Sequence, residues 1–302
     1  MKLWRRILLT LIAVVLVAAV GALLWITRSQ AHGLVTHPMD ERPPLAKTPA
    51  DYGLPYEEVS VTTADGLKLV GWYIPSQNGA LVMAQHGYKV NRTDLLPEAE
   101  MLYKSGYGVL LMSIRAHDLS DGEYITLGYK EMQDLDAWYQ YVLTRDDVDP
   151  ECIGIIGNSM GGALAIQYAS QNKNIKAVVA HSAFATFDDT IATTLKFYTG
   201  LPPFPFVPMI LFWANQETHQ DFTKARAVDW IGDISPRPVF LLQGGADQQI
   251  SPNSGQMLYD AAGEPKELWF DPELGHTEFT EKRTEEFETR LIAFYDKYLL
   301  GK

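Results

Sequence analysis

Short apolar runs alternate with amphipathic stretches from about residue 56 to the carboxyl terminus. Runs rich in β-branched residues predict strands, and stretches with an apolar residue at every third or fourth position predict helices. The predicted strands are 56–62, 68–74, 80–86, 108–113, 152–156, 175–180, 239–242 and 267–270. The predicted helices are 93–105, 131–144, 163–169 and 280–299. This alternation predicts an α/β fold whose mainly parallel sheet has helices on both faces.

The stretch at about 186–230 interrupts the alternation with a high density of aromatic residues and prolines. An insertion of this kind between two strands is either a lid over an active site or a structural cap. We favour the lid because the insertion directly follows two central strands of the predicted sheet. Under this interpretation the substrate-binding residues are Phe204, Phe206, Phe212 and Trp213.

Residues 7–26 carry no charge, and only Thr10 among them is clearly polar. A helix of that length crosses a bilayer core of about 30 Å. The alternative is a cleavable signal peptide, whose apolar region is usually about 7–15 residues long. We favour an uncleaved membrane anchor because this run is longer and no convincing cleavage site follows it.

The charges on either side of this run predict its orientation. Lys2, Arg5 and Arg6 precede it, whereas Arg28 is the only basic residue that follows closely. The positive-inside rule therefore predicts a cytoplasmic amino terminus and a catalytic domain outside the cytoplasm.

Prolines divide the chain after the anchor. We predict a membrane anchor at 1–28, a proline-containing linker at 29–55 and one domain at 56–302 that carries the lid insertion. A chain of 302 residues with 47% hydrophobic and 21% charged residues is suited to one large globular domain.

The composition also narrows the function. A net charge of −12 argues against a nucleic-acid partner, because phosphates are bound through clusters of lysine and arginine. Cys152 is the single cysteine and lies in a predicted strand, which excludes an internal disulfide and a cysteine-based zinc site.

The sequence Gly-Asn-Ser-Met-Gly at 157–161 lies between the predicted strand 152–156 and the predicted helix 163–169. This is the G-x-S-x-G pattern of a nucleophile elbow, in which a sharp strand-to-helix turn exposes a serine. The flanking positions are glycine because a side chain there would clash with the strand or the helix. Ser159 is therefore the candidate nucleophile.

A serine nucleophile needs a base within hydrogen-bond reach and an acid that orients the base. Asp247 follows the predicted strand 239–242, and His276 follows the predicted strand 267–270. All three residues lie past the carboxyl ends of predicted parallel strands, where open α/β sheets build their sites. Their order along the chain, Ser-Asp-His, favours this triad.

Other residues could fill these roles less well. His117 and His181 also follow strands but precede Asp247, and His219 lies in the insertion. Asp271 and Glu273 are nearby carboxylates that could replace Asp247.

The acyl-transfer transition state carries an oxyanion that needs two positioned N–H donors. The residue after the nucleophile, Met160, supplies the first predicted donor. The loop after the third strand supplies the second, which we assign to the backbone N–H of Tyr88, because Gly87 permits a close backbone approach.

Together these motifs resemble the α/β-hydrolase superfamily, close to its membrane-anchored serine hydrolases and to the serine-aminopeptidase-like and lysophospholipase-like branch. The resemblance covers about residues 56–299. The matching motifs are His86-Gly87, Gly157-x-Ser159-x-Gly161-Gly162, Gly244-x-x-Asp247 and Gly275-His276. It implies an eight-stranded sheet and hydrolysis through an acyl-serine intermediate, with no metal or organic cofactor.

One motif departs from the family. Many members carry D-x-R-G-H-G after the fourth strand, whereas this chain has Ser-Ile-Arg-Ala-His-Asp at 113–118. Arg115 is retained, and the loss of both glycines affects the expected shape of the loop more than the chemistry.

We predict a membrane-anchored serine hydrolase that cleaves an ester-type acyl bond, with a small-molecule or lipid-like acyl substrate. A peptidase or amidase on the same fold is the first alternative, with Glu217, Asp188 and Asp189 as candidate anchors for an amine. A non-catalytic binding protein on a hydrolase frame is the second.

Overall fold

The computed structural model describes residues 3–302, and its central feature is one sheet of eight strands. The strands are β1 (Glu57–Thr62), β2 (Lys68–Ile74), β3 (Leu81–Gln85), β4 (Gly108–Met112), β5 (Ile153–Asn158), β6 (Ala177–His181), β7 (Val239–Gly244) and β8 (Lys266–Asp271). They lie in the order β1-β2-β4-β3-β5-β6-β7-β8, and within the described residues β2 alone runs against its neighbours. This is the α/β-hydrolase fold that the sequence predicts.

Nine α-helices surround the sheet within residues 3–302. They are α1 (Leu3–Val35), α2 (Leu96–Lys104), α3 (Glu131–Val142), α4 (Met160–Gln171), α5 (Phe187–Thr199), α6 (Pro203–Thr218), α7 (Asn253–Ala261), α8 (Phe279–Lys282) and α9 (Thr284–Leu299). The apolar side chains form two buried layers, one on each face of the sheet. Helices α3 and α4 cover one layer and helices α2 and α9 cover the other, as the apolar strands require.

Two helices differ from the prediction. The predicted helix 280–299 is two helices, α8 and α9, which are separated at Arg283 by its non-helical backbone. Helix α7 has no counterpart in the prediction, because Leu258 is its only fully buried large apolar residue and so leaves no apolar periodicity.

Helix α1 is longer than the predicted anchor. The 33-residue helix runs without a break to Val35, and among residues 3–302 it is the one helix long and apolar enough to cross a membrane. The predicted boundary at residue 28 is therefore displaced, because a helix-terminating residue first occurs at Pro38. Its apolar span is exposed, whereas Thr27, Ala31 and Val35 are buried on the catalytic domain.

The segment between α1 and β1 is not a loose linker. The imidazole of buried His37 is 2.8 Å from the carbonyl oxygen of Ala116. The guanidinium of Arg42 donates hydrogen bonds to the carbonyl oxygens of Asp118 and Ser120, at 3.2 and 2.6 Å. These contacts bind the segment to the loop that follows β4.

The insertion forms a helical hairpin, α5 and α6, joined through Gly200 with a left-handed backbone. Helix α6 packs along the last turns of α1, where the Arg28 guanidinium lies 5.6 Å from the centre of the Trp213 ring. The hairpin therefore lies between α1 and the carboxyl edge of the sheet, where the candidate site residues are.

Candidate active site

Ser159 lies at the turn between β5 and α4, with a φ of +55°. A Cβ atom on Gly157 would collide with the carbonyl group of Gly161, and one on Gly161 would collide with the carbonyl oxygen of Gln85. The Ser159 N–H donates a 2.8 Å hydrogen bond to the carbonyl oxygen of His181 on β6. The predicted strand, sharp turn and helix are confirmed, and the left-handed backbone exposes the hydroxyl.

Asp247 and His276 are joined by a 2.8 Å hydrogen bond between Oδ2 and Nδ1. The Asp247 carboxyl is fully buried, and its Oδ1 accepts 2.9 Å hydrogen bonds from the N–H groups of Gln249 and Ile250. These donors fix the carboxylate, which in turn fixes the ring of His276 and leaves Nε2 for proton transfer.

The loops that carry the three residues are tied together. Gly245 and Ala246 donate backbone hydrogen bonds of 2.8 and 2.9 Å to Asp271 and Leu274 in the His276 loop. The N–H of Thr277 donates to the Ser182 hydroxyl at 3.2 Å, one residue from the carbonyl that accepts from Ser159. Ser159, Asp247 and His276 therefore lie at one edge of the sheet.

Among the described residues, the alternative histidines His117, His181 and His219 make no hydrogen bond to this pair. His117 is fully buried, and its Nδ1 lies 2.9 Å from the carbonyl oxygen of Arg115. His181 is also fully buried, and desolvation lowers its pKa to about 3, whereas His219 is exposed at the end of α6. Within residues 3–302 no group of three or more His, Cys, Asp or Glu side chains has an arrangement that could hold a metal ion.

The alternative carboxylates have a different partner. Asp271 Oδ2 accepts a hydrogen bond from Arg283 Nε at 2.9 Å, and Glu273 pairs with the same guanidinium at 3.1 Å. His276 is therefore oriented by Asp247 in this structure.

The two predicted oxyanion donors flank Ser159. Met160 is the first residue of α4, and Tyr88 follows Gly87, at which a Cβ would lie only 3.4 Å from the Ser159 Cβ. Among the described residues, neither N–H donates a hydrogen bond to a backbone carbonyl in a turn or loop. Both groups are thus available to a bound oxyanion.

Two carboxyl groups, half-buried Asp94 and fully buried Glu98, lie behind this loop, and the sequence analysis did not find them. Asp94 Oδ2 accepts a 3.0 Å hydrogen bond from the Gly87 N–H. Glu98 lies one helical turn further on and accepts a 2.7 Å hydrogen bond from the Thr280 hydroxyl. Burial, reinforced by the negative charge of Asp94, raises the pKa of Glu98 to about 7. The acidic side chain seven residues after Gly87 was the available signal.

Glu278 fixes the backbone of the His276 loop, as Asp94 fixes that of Gly87. Its Oε2 accepts a 2.6 Å hydrogen bond from the Gly275 N–H. It follows His276 by two residues and fixes the turn that presents the imidazole. Sequence analysis missed it because an exposed acidic residue in a loop is common.

A cavity of about 280 Å³ adjoins Ser159. Its walls are apolar or neutral, and no charged side chain of the described residues lines it. Its lining includes Leu34, Tyr88, Phe184, Phe187, Ile191 and Tyr198. Helix α1 thus supplies part of the active-site wall through Leu34, which the sequence analysis had assigned to a linker.

The four aromatic residues predicted to bind substrate do not line this cavity. Phe204 and Phe212 are exposed, Phe206 packs against the core, and Trp213 faces Arg28 on α1. The physical reason is that α6 turns its buried face toward α1 and α5, so α5 alone borders the site.

The loop after β4 has left-handed residues at the positions of the family glycines. Ala116 and Asp118 stand where those glycines are expected and adopt φ values of +59° and +53°. The Arg115 guanidinium is held by Asp134 and Asp65, with closest distances of 2.6 and 2.9 Å. The chain thus carries the strain of two left-handed side chains, and a change in loop shape relative to other members stays a prediction.

Comparisons with known proteins agree with this fold. The sequence profile of the prolyl oligopeptidase family matches residues 98–302. The chain is 27% identical to the protein YfhR of Escherichia coli O157:H7 over 247 residues, 79% of this chain and 80% of YfhR.

Two solved structures have a similar fold. The esterase Pf2001 of Pyrococcus furiosus is 29% identical, with a TM-score of 0.72 over 85% of this chain and 98% of the esterase. The acylaminoacyl peptidase of Pyrococcus horikoshii is 16% identical, with a TM-score of 0.64 over 82% of this chain and 42% of the peptidase, and supports the fold alone. The chain belongs to the prolyl oligopeptidase family and is a serine hydrolase of the α/β-hydrolase fold.

Proposed function

We propose that this hydrolase cleaves carboxylic esters with an apolar acyl group, in the manner of a carboxylesterase or lysophospholipase. Ser159 Oγ attacks the acyl carbonyl while His276 Nε2 takes the hydroxyl proton, and Asp247 stabilises the imidazolium. The N–H groups of Met160 and Tyr88 bind the oxyanion. The proton then passes to the departing alcohol, and water releases the acid from Ser159 in a second, equivalent step.

The observation that carries this proposal is the uncharged wall of the cavity beside Ser159. An acyl chain gains about 0.8 kcal/mol for each methylene that it buries, without any polar partner. A peptide substrate brings amide groups, and an aminopeptidase substrate brings a charged amine as well; both need acceptors to replace water. The lining combines apolar residues with uncharged polar ones such as Thr190, Thr194 and Gln249, and it offers no charged anchor for an amine, which favours the ester.

The candidate amine anchors support the same choice. Glu217 Oε1 lies 2.6 Å from His32 Nδ1 on α1, so its carboxylate already has a partner. Neither Asp188 nor Asp189 lines the cavity. The similarity to the Pyrococcus furiosus esterase points in the same direction.

We further propose that α1 stays in the mature protein as a single membrane anchor. A signal peptide is removed from the folded protein, yet α1 continues into buried Ala31 and Val35 and lines the cavity through Leu34. The charges of Lys2, Arg5 and Arg6 favour a cytoplasmic amino terminus and an extracytoplasmic catalytic domain.

The test uses the full-length protein in detergent with p-nitrophenyl esters of increasing acyl length. We expect kcat/KM to rise from acetyl to octanoyl and to be lost in Ser159→Ala and His276→Ala. Labelling of Ser159 by a fluorophosphonate, which requires an activated serine, separates catalysis from simple binding.

Two results would change the assignment. Cleavage of aminoacyl amides in preference to esters would favour a peptidase or amidase. A folded protein that neither hydrolyses these substrates nor reacts with the fluorophosphonate would be a binding protein on a hydrolase frame.

A further inference from the structure

The tip of the α5–α6 hairpin exposes an unusual number of apolar side chains. Residues 197–216 contain no charge, and this run is nearly as long as the uncharged run 7–27 of α1. Phe204 is 78% exposed and Tyr198 is 68% exposed, and Phe197 and Phe212 are also exposed. An apolar patch of this kind on a folded domain marks a contact with another apolar phase or protein.

The packing of α6 on α1 determines which way this tip points. The Arg28 guanidinium lies over the Trp213 ring at 5.6 Å, and His32 Nδ1 lies 2.6 Å from Glu217 Oε1. The two partners of each pair are 185 positions apart in the sequence (213 − 28 and 217 − 32). The two helices are therefore parallel, and the same register holds at both contacts. The start of α6 therefore lies toward the amino-terminal, apolar part of α1.

The distance follows from helix geometry. Pro205, where the regular part of α6 begins after the non-helical Phe204, precedes Trp213 by eight positions, which is about 12 Å at about 1.5 Å per residue. The hairpin tip therefore lies beside the part of α1 about one to three turns before Arg28. Leu23, in that part, is half-buried although the residues around it are exposed.

Arg28 and Trp25 indicate where a membrane surface crosses α1. Arginine at the end of an apolar span lies at the lipid–water interface, and tryptophan is enriched at the same level. With Arg28 at the membrane surface, the tip of the hairpin lies on the bilayer side of that surface. Interfacial segments commonly bury their apolar side about 5–10 Å into the headgroup and acyl boundary.

The cavity beside Ser159 extends toward this tip. Tyr198 lines it together with Ser159, Leu34 and Thr194. A second cavity of about 140 Å³ continues between α1 and the hairpin and shares Leu34, Thr194 and Tyr198. An apolar path thus leads from the candidate nucleophile to the exposed aromatic residues.

We propose that the tip of the α5–α6 hairpin inserts into the bilayer that holds α1, and that the acyl chain of a membrane lipid enters the cavity between α1 and α5. The insertion is independent of the chemistry, whereas the lipid ester as substrate rests on the proposed function. The occupant of the aromatic patch is lipid, because the patch continues an exposed apolar helix that is long and apolar enough to cross a bilayer; this step rests on the membrane anchor proposed above.

The insertion is tested with full-length protein in phosphatidylcholine vesicles. In a Cys152→Ser background, Phe204→Cys carries an environment-sensitive fluorophore, and nitroxide-labelled phosphatidylcholine serves as the quencher. Leu143→Cys is the matched control, because Leu143 is an exposed apolar residue before the amino end of β5, opposite Ser159. We expect strong quenching at position 204 and none at position 143.

Two outcomes would overturn the insertion. Equal quenching at both positions would show that the tip has no special access to lipid. A disulfide between two copies at position 204 that forms at every lipid-to-protein ratio, without quenching, would assign the patch to a second copy of the chain.

Substrate entry is tested with Phe204→Asp, since Phe204 does not line the cavity. We expect about a tenfold lower rate on a long-chain acyl ester dissolved in the vesicles, because a carboxylate is costly in lipid. The rate on a water-soluble butyrate ester stays unchanged. Leu143→Asp, the matched control, leaves both rates unchanged.

The remaining outcomes separate the two proposals. Equal losses on both esters in Phe204→Asp would overturn entry from the bilayer. A wild-type protein that is inactive on both esters but still quenched at position 204 would overturn the ester substrate and leave the insertion standing.

Discussion

The cavity beside Ser159 has two walls that are held in different ways. The sheet wall carries Ser159 and Met160, and backbone hydrogen bonds and close approaches between glycines fix its loops. The helix wall, formed by α1 and α5, is held by apolar contacts of residues such as Leu34 and Ile191. Backbone contacts position reacting atoms accurately, whereas apolar packing sets only a volume. The sheet wall therefore determines the chemistry and the helix wall determines the substrate.

The largest expected effect removes the nucleophile from the sheet wall. Ser159→Ala lowers kcat/KM on a butyrate ester by at least about 10⁴-fold, because no other group can form the acyl intermediate. Asp247→Asn lowers it by about 10³–10⁴-fold, because the imidazole then lacks its orienting charge. Unchanged melting temperatures are the control, and residual activity within tenfold of wild type would contradict the triad.

The next test adds a single methyl group to the sheet wall. Gly161→Ala pushes a Cβ into the carbonyl groups of Gln85 and His86, so the elbow shifts. We expect a loss of about 3 kcal/mol in the free energy of unfolding, measured by urea denaturation, together with loss of activity.

Gly33→Ala is the matched control, because nothing lies within 4 Å of a Cβ at that position and its backbone is helical. It should change stability by less than about 1 kcal/mol. A Gly161→Ala protein as stable and active as Gly33→Ala would show that the sheet wall tolerates movement.

A third test concerns the carboxyl pair behind the oxyanion loop. The pKa of Glu98 is raised from 4.5 to about 7 by burial, so the folded protein binds more protons than the unfolded chain between these values. The stability associated with this group is therefore full below pH 4.5 and falls as pH rises toward 7. Glu98→Gln removes the titration and keeps an acceptor for Thr280.

The free energy of unfolding of Glu98→Gln should therefore rise relative to that of wild type by about 3 kcal/mol when the pH is raised from 4.5 to 8. Urea denaturation at both pH values measures this change. Exposed Glu285→Gln is the control, for which we expect the same difference at both pH values. A constant difference for Glu98→Gln would mean that this carboxyl does not titrate abnormally.

The helix wall is tested by filling the cavity. Thr194→Phe occupies space that a long acyl chain would use, so kcat/KM should fall about tenfold on the octanoyl ester and little on the acetyl ester. Thr193→Phe is the control, because Thr193 is adjacent to Thr194 in the sequence but lines neither cavity. An equal loss of kcat/KM on both esters would contradict the assignment of substrate choice to the helix wall.

The smallest effect relieves strain beside the sheet wall. Ala116→Gly should raise the free energy of unfolding by up to about 1 kcal/mol, because glycine accepts the φ of +59° without a Cβ clash. Ala165→Gly, in the middle of α4, should instead lower it by about 1 kcal/mol. Equal effects of the two substitutions would contradict the strain.

The same division explains what the sequence could predict. Ser159, Asp247 and His276 were identifiable because close backbone approaches require glycines at fixed spacing, and these leave a motif. Leu34 and Tyr198 were not identifiable, since an apolar side chain on a helix has the same pattern whether it faces a cavity or a core. Asp94 was visible as an acidic residue near Gly87, but its role could not be predicted. Its partner is a backbone N–H, which no pattern of side chains reveals.

The continuous backbone of α1 has a consequence for how the enzyme meets its substrate. A flexible tether lets a catalytic domain sample a wide area around its anchor, with an effective concentration set by tether length. Here the apolar span and the cavity wall belong to one helix without an internal proline, and no such freedom exists. With α1 anchored in a bilayer as proposed, encounter with a lipid substrate depends on lateral diffusion in two dimensions. Turnover should consequently follow the surface mole fraction of substrate and not its amount per volume of solution.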